Sequence, residues 1–195
     1  LHAAQIQGFF DLPLDHLSSM PVFMDHLMSS RDALGDLVVA SPDIGNVKIA
    51  NIYAAALDAD LAIIEKRRVS GSAVKAANIV GDVRGKTVLL VDDMISTAGT
   101  ICEASRVLKD RGCADVYALA THGLFVGPAV ERLEASPIEK ILVTNTIPYE
   151  NRIAPLEGRV RTLCVGKLFA DAIDHIHHNK SISALFTQYA QSKRQ

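Results

Sequence analysis

"TVLLVDDMISTAGT" (residues 87–100) joins an uninterrupted aliphatic run to two carboxylates and a turn of small and hydroxylic residues. A continuous apolar run of this kind predicts a strand that is buried on both faces of a parallel sheet. We place this strand at residues 87–91, so that Asp92 and Asp93 stand at its carboxyl end. In open α/β sheets, ligands bind at the carboxyl ends of the strands. The stretch therefore predicts both a fold class and a binding site.

Strand-like and helix-like patterns alternate along the rest of the chain. Apolar runs at 36–40, 61–64, 115–121, 140–144 and 160–165 predict further strands, and segments at 45–58, 99–112, 127–135 and 167–178 predict helices. The polar, cationic segment 65–77 is interrupted by Gly71, and it predicts an exposed loop. The alternation predicts an α/β fold with a largely parallel sheet flanked by helices.

The composition is typical of a globular protein. The chain has 195 residues, of which 49% are hydrophobic and 22% are charged. Its net charge of -2 and lack of a long basic block argue against a nucleic-acid partner. No aliphatic run approaches the ~18–20 residues of a membrane span, and no cationic leader is visible. Three cysteines without C-x-x-C spacing read as reduced thiols. We expect a cytoplasmic protein without a membrane partner and, since Met is absent at residue 1, a fragment.

The turn after the aspartates has the properties of an anion site. Hydroxyl groups donate to phosphate oxygens, small residues let the backbone approach closely, and the first N–H groups of a following helix attract an anion. Carboxylates bind phosphate poorly but accept hydrogen bonds from vicinal hydroxyls, so the combination predicts a sugar phosphate. A strand end with an ordinary helix N-cap is the alternative, and the local residues leave both open. The candidate phosphate ligands are Ser96, Thr97, Ala98, Gly99 and Thr100.

The stretch resembles the phosphoribosyl-diphosphate binding loop of type I phosphoribosyltransferases. A wider set of motifs resembles the ribose-phosphate pyrophosphokinase (phosphoribosyl-diphosphate synthetase) family, in the family's order over nearly the whole chain. The set comprises "LHAAQIQGFF", "VVASPDIGNVK", "LAIIEKRR", "NIVGDVRGK", "ATHGLFVGPAVERL", "VTNTIP" and "LFADAIDHIHHNKSISALF". The resemblance implies a type I phosphoribosyltransferase-like fold. It also implies an enzyme that transfers diphosphate from ATP to ribose 5-phosphate, giving 5-phosphoribosyl 1-diphosphate and AMP.

The resemblance assigns roles to individual residues. His2 and Asp43 match the family's magnesium ligands, and Mg²⁺ favours carboxylate and phosphate oxygens. Lys66 and Arg68 match cations on a mobile catalytic loop, where they would stabilise charge that develops during diphosphoryl transfer. The aspartate pair would hold the ribose hydroxyls, and residues 96–100 would hold the 5-phosphate.

Two positions depart from the commonest family pattern. Ser96 stands where an aspartate is usual, and Asn46 follows Gly45 where a second glycine is usual. Serine still donates to phosphate, so we expect binding to survive. Asparagine tolerates left-handed backbone angles better than most residues, so we expect the turn after Asp43 to keep its shape.

The resemblance also implies a preceding domain of the same general type, which supplies residues that hold ATP. We therefore expect a remnant of that domain at residues 1–20, a phosphoribosyltransferase-like domain at 21–165, and a helix and tail at 166–195. In the family this last helix packs on the preceding domain through an apolar face, here Leu168, Phe169, Ala172, Ile173 and Ile176.

Assembly and regulation follow from the resemblance as well. It implies a homo-oligomer, a hexamer in the family, with possible regulation by phosphate or ADP. Two other functions remain open. One is a truncated non-catalytic or regulatory homologue that binds sugar phosphate or partner subunits, and the other is an ordinary phosphoribosyltransferase that acts on a base.

Overall fold

A computed structural model describes residues 3–68, 74–149 and 152–186. Within these ranges seven strands form one sheet in the order β3-β2-β1-β4-β5-β6-β7. Neighbouring strands are parallel, except that β3 at one edge is antiparallel to β2. The strands are β1 (Leu37–Ser41), β2 (Asp60–Arg68), β3 (Val74–Val80), β4 (Thr87–Ile95), β5 (Asp115–Gly123), β6 (Lys140–Thr144) and β7 (Val160–Leu163). The predicted fold class, a largely parallel α/β sheet, is confirmed.

Helices cover both faces of the sheet. They are α1 (Met20–Met28), α2 (Val47–Ala56), α3 (Gly99–Asp110), α4 (Ala129–Glu134) and α5 (Gly166–His177), with 3-10 turns at Ala4–Phe9, Arg31–Leu34 and Ala154–Leu156. The first two helices share one core with Leu89 and Val91, and the next two share the other core with Val88 and Leu90. Both faces of β4 are therefore buried, which is why its sequence is continuously apolar. None of the helices in the described ranges is long and apolar enough to cross a membrane.

The prediction of a loop at residues 65–77 is wrong for most of that segment. The backbone of β2 continues through Arg68, and β3 begins at Val74, with Glu65 paired to Asn78 and Lys66 to Ala77. An edge ribbon keeps one side in solvent, so it tolerates charged residues that a central strand would exclude. Polarity alone therefore did not distinguish a strand from a loop here.

The length of β2 bears on function. Ile63 lies level with Ser41, the last residue of β1, and β2 runs five residues further, to Arg68. At ~3.3 Å per residue this carries its backbone roughly 16 Å beyond the end of β1, on the carboxyl side of the sheet. The ribbon of β2 and β3 thus extends past the edge at which ligands bind in this fold class.

The predicted end of β4 also needs correction. The strand does not stop at residue 91 but continues to Ile95, because its pairing with β5 extends to Ile95 and Gly123. Asp92 and Asp93 therefore lie inside the last part of a strand. Sheet hydrogen bonding fixes their backbone more firmly than a turn would.

Candidate functional site

Three aspartates meet at the carboxyl edge of the sheet. Asp43 follows β1, while Asp92 and Asp93 belong to the last part of β4, which is paired with β1. All three line one cavity of about 240 Å³, together with residues 94–101. The fold therefore brings the predicted diol ligands, the predicted phosphate ligands and the aspartate of the metal motif into one place.

The turn after β4 uses its carbonyl groups to hold itself in the fold. The N–H of Val126 donates to the Ser96 carbonyl at 3.0 Å, and Nη1 of Arg132 donates to the Thr97 carbonyl at 3.0 Å. The Ala98 carbonyl accepts the N–H of Cys102 at 3.1 Å. Among the described residues, the N–H groups of residues 97–100 have no protein acceptor. These donors remain for an anion at the start of α3.

Two backbone features shape this turn. Ala98 is left-handed, with φ of +58°, and it is buried. An alanine in this region is strained, a condition that collects at functional sites. A Cβ at Gly99 would lie 3.3 Å from Nη1 of Arg132. We expected Gly99 to let a ligand approach the backbone closely. In the structure, the absence of a Cβ at Gly99 leaves space for the Arg132 side chain that holds the turn.

The Asp92 carboxyl is the most perturbed group of the site. Its Oδ1 accepts hydrogen bonds from Nδ2 of Asn46 at 2.6 Å and from the N–H of Asp93 at 2.9 Å. Burial raises the pKa of Asp92 to about 7; the hydrogen bond from the Asp93 N–H opposes this rise, and the charges of Asp93 and Asp43 add to it. Near neutral pH this carboxyl is therefore divided between its two protonation states, and hydroxyl donors or a cation would favour the charged one.

The turn that carries Asp43 is held by short local contacts. Oδ1 of Asp43 accepts the N–H of Asn46 at 3.1 Å, and the hydroxyl of the buried Ser41 donates to the Asp43 carbonyl. A Cβ at Gly45 would lie 3.2 Å from Oδ1 of Asp43, so glycine relieves crowding there. Asn46 has φ of -96° and ψ of 5°. The tolerance of asparagine for left-handed angles is therefore not needed.

A second cavity of about 300 Å³ adjoins the first, and both are lined by Asp92 and Asp93. Ser19 and Thr121 join across it by a hydrogen bond of 2.6 Å between their hydroxyls. The other lining residues come from residues 16–20, α2 and the carboxyl ends of β4 and β5; they include Asn46, Tyr53 and His122. No motif in the sequence marks this cavity, because its walls come from four separate segments.

Three predicted residues cannot be placed by their side chains. His2 lies outside the described residues. Lys66 and Arg68 have their backbone in β2, but their side chains lie outside the described part of the chain. Their assigned roles stay predictions.

The described residues offer a magnesium ion few protein ligands. Within residues 3–68, 74–149 and 152–186, no group of three or more His, Cys, Asp or Glu side chains is arranged to hold a metal. Mg²⁺ commonly takes one or two carboxylates and completes its shell with water and substrate phosphates. The Asp43 carboxylate, at the rim of a cavity suited to a phosphate, fits that requirement.

The sequence and the fold of this chain are similar to those of known proteins. A ribose-phosphate pyrophosphokinase from Synechococcus elongatus is 50% identical over 190 residues, which cover 95% of this chain and 56% of that protein. One from Chlorobaculum tepidum is 46% identical over 186 residues, again with 95% and 56% covered. The crystal structure of phosphoribosylpyrophosphate synthetase from Mycobacterium smegmatis superposes with a TM-score of 0.80 at 38% identity, covering 92% of this chain and 57% of that one.

The chain thus spans somewhat more than half the length of the relatives that it matches. These likenesses confirm the resemblance found in the motifs. Residues 70–187 also match the family described as "Phosphoribosyl synthetase-associated domain". That match covers more than half of the sequence, and the chain belongs to the phosphoribosyl synthetase-associated domain family.

Proposed function

We propose that this chain forms the ribose-phosphate half of a ribose-phosphate pyrophosphokinase. The whole enzyme transfers diphosphate from ATP to ribose 5-phosphate and yields 5-phosphoribosyl 1-diphosphate and AMP. The observation that carries the proposal is the single cavity lined by the Asp92–Asp93 pair and the turn 96–100. An anion turn beside a carboxylate pair suits a ligand that carries a phosphate and a diol together.

The substrate is bound at its two ends. Backbone N–H groups of residues 97–100 and the hydroxyls of Ser96, Thr97 and Thr100 take the 5-phosphate. The carboxylates of Asp92 and Asp93 accept hydrogen bonds from the ribose hydroxyls. Since a phosphate and a diol are fixed at once, the C1 hydroxyl acquires a defined position for attack on ATP.

Lys66 and Arg68 supply positive charge during transfer. The backbone of β2 runs past the carboxyl ends of the neighbouring strands, which supports a place for these residues near the cavity. Diphosphoryl transfer builds charge on the transferring and leaving oxygens, and cations placed there stabilise the transition state more than the ground state.

Magnesium belongs to the same proposal. Asp43 and His2 are the residues that would hold the ion, and a Mg²⁺ ion commonly needs only one or two protein carboxylates. When bound, the ion neutralises charge on the phosphate oxygens. The Asn46 N–H holds the Asp43 carboxylate at the cavity, and the missing side chain of Gly45 leaves space for it.

The wider setting is proposed on the same basis. The partners are ATP and ribose 5-phosphate, in a cytoplasmic homo-oligomer that phosphate or ADP regulates. The division into 1–20, 21–165 and 166–195 stays a prediction. This chain covers 56% of the length of the Synechococcus elongatus relative, so a protein of that length has room for further residues that hold ATP.

The test measures AMP formation from ATP and ribose 5-phosphate by a protein that contains this chain and is as long as the relatives. Lys66→Ala should lower kcat by two to three decades, because loss of one such cation costs ~3–4 kcal/mol of transition-state stabilisation. Ribose 5-phosphate affinity, measured by calorimetry, should remain nearly unchanged. Lys140→Ala, at the amino end of β6 on the opposite edge, is the matched control and should leave both quantities unchanged.

Three results would contradict the proposal. Equal loss of sugar affinity and turnover in Lys66→Ala would remove the role given to that cation. Ribose 5-phosphate binding without any AMP formation would leave a binding-only homologue, and binding of a nucleobase as second ligand would indicate a phosphoribosyltransferase.

A further inference from the structure

Asn46 does not behave as the helix cap that its position suggests. It is the N-cap residue of α2, where an asparagine side chain normally accepts a hydrogen bond from the first turn. Here its side chain makes no such bond, and its carboxamide donates instead to Oδ1 of Asp92 at 2.6 Å, across 46 positions of sequence. The Asn46 side chain thus bonds to strand β4 instead of to the first turn of α2.

Asn46 contacts Asp92 without lining the cavity of the turn 96–100. It lines the second cavity but not the cavity of the turn, whereas Asp92 lines both. Its backbone N–H meanwhile binds Oδ1 of Asp43. Asn46 thus joins two of the three aspartates of the site, and it does not line the cavity to which we assign the sugar phosphate.

Fixing Oδ1 determines where Oδ2 points. The Asn46 carboxamide and the Asp93 N–H both donate to Oδ1 of Asp92, which holds the carboxyl in one orientation. Neither of these two donors contacts Oδ2, and the Asp93 side chain lies beside the same carboxyl. A carboxylate that can rotate would adapt to different sugars, whereas a fixed one rewards hydroxyls in one arrangement.

We propose that Asn46 is a positioning residue that fixes Asp92 against the vicinal diol of the sugar and thereby makes the site select ribose phosphates over 2-deoxyribose phosphates. This rests on the function proposed above. A site built to bind a hydroxyl rejects the analogue that lacks it, because a buried acceptor is left unpaired. The selection weakens when the acceptor is free to turn away. Asn46 therefore acts on specificity through Asp92.

The experiment measures the affinities of this chain for ribose 5-phosphate, 2-deoxyribose 5-phosphate and inorganic phosphate by calorimetry. Asn46→Ala should lower the preference for ribose over deoxyribose about five-fold, the scale of one ordered side chain. Asn46→Asp, which has the same shape but cannot donate, should lower it at least as much. Asn51→Asp, which adds the same charge at an exposed position of α2, should keep the wild-type preference.

Inorganic phosphate distinguishes positioning from general damage. Its affinity should be unchanged in Asn46→Ala, because the phosphate turn is held by Arg132 and Val126 rather than by Asn46. A wild-type preference in Asn46→Ala would overturn the inference while leaving the proposed function intact. Failure of the wild-type chain to bind ribose 5-phosphate would overturn both.

A measurement on the wild-type chain decides the matter if the variants do not fold. The side-chain NH₂ resonances of Asn46 should shift when ribose 5-phosphate is added and stay in place with inorganic phosphate. Resonances that ignore the sugar would show that Asn46 does not sense Asp92 in the complex, and the inference would be wrong.

Discussion

Asp92 carries much of the charge balance of the site. It shares the cavity with two other carboxylates, and its pKa is raised to about 7, first by burial. A carboxyl with a raised pKa lowers the stability of the fold when it is charged. Hydrogen-bond donors of a ligand would stabilise its charged form. Ser96 places a hydroxyl rather than a fourth carboxylate at the same cavity.

Replacing this carboxyl should show how far its charged form lowers the folding stability. The folded state holds the proton of Asp92 more tightly than the unfolded chain, so folding stability falls as pH rises from about 4 to about 7. Asp92→Asn removes this loss. Its melting temperature should equal that of wild type near pH 4 and exceed it by several degrees at pH 8, since each pKa unit corresponds to ~1.4 kcal/mol.

The control is Asp11→Asn, which changes an exposed aspartate and should shift the melting temperature little at either pH. Thermal unfolding followed by circular dichroism at both pH values is sufficient. A melting temperature of Asp92→Asn at or below that of wild type at pH 8 would contradict the account.

Sequence was sufficient to predict that Asp92 and Asp93 lie beside the turn 96–100, but not which residues hold them. The pair follows an aliphatic run and precedes a small-residue turn, and these are local signals. Asn46 is 46 positions from Asp92, and Arg132 is 35 positions from Thr97. Contacts at such separations depend on strand order, which hydrophobic periodicity does not give.

At the scale of elements, the turn 96–100 is held by α4 and by the segment before α4. Arg132 of α4 donates to the Thr97 carbonyl. Phe125, left-handed with φ of +47°, gives its N–H to the Ile95 carbonyl at 3.1 Å and packs edge-on against Tyr149. Groups outside the turn thus bond to carbonyl groups in or next to it, and these contacts do not use the N–H groups of residues 97–100.

Removing Arg132 should loosen the turn. Arg132→Ala deletes one hydrogen bond to a carbonyl and leaves space beside Gly99, so phosphate and ribose 5-phosphate should both bind about five- to ten-fold more weakly, the equivalent of ~1–1.5 kcal/mol. Arg106→Ala, at an exposed position of α3, is the matched control and should bind both normally. Unchanged affinities in Arg132→Ala would show that the turn does not need this support.

Element boundaries were predicted where the apolar pattern was strong and missed where it was not. The bounds of β5 and α3 came close, and the positive φ of Gly112 agrees with its expected role after α3. The strand predicted at 61–64 is the first part of β2, but its extension to Arg68 and all of β3 were missed because an edge strand does not need an apolar face. Helix α1 was missed too, although Pro21 lies at its start, a favoured position.

At the scale of the whole molecule, α5 is only half covered. Leu168 and Ala172 are buried, but Phe169 is 51%, Ile173 65% and Ile176 55% exposed. Clustered exposed apolar side chains of this kind are typical of interaction surfaces. The α/β architecture was predictable from the alternation of patterns, whereas the division of this helix into a buried and an exposed row required the tertiary structure.

The exposed row should drive association. We expect this chain to self-associate at micromolar concentration, and Phe169→Glu combined with Ile173→Glu to shift it toward the monomer, because charges at an apolar contact are costly to bury. Light scattering measures this directly. Met28→Glu, at another exposed apolar position, should not change the mass. A wild-type chain that is already monomeric would contradict the prediction.

The central claim is that the turn 96–100 and the Asp92–Asp93 pair form one sugar-phosphate site, and an NMR titration of amide shifts tests it most directly. Ribose 5-phosphate and inorganic phosphate should both shift the amides of residues 97–100. The sugar phosphate should also shift those of Asp92 and Asp93, and it should bind at least ~10-fold more tightly, since each charge-assisted hydrogen bond contributes ~1.5–3 kcal/mol. Ribose alone should bind weakly or not at all. Equal affinities for phosphate and ribose 5-phosphate, or shifts confined to other parts of the chain, would contradict the claim.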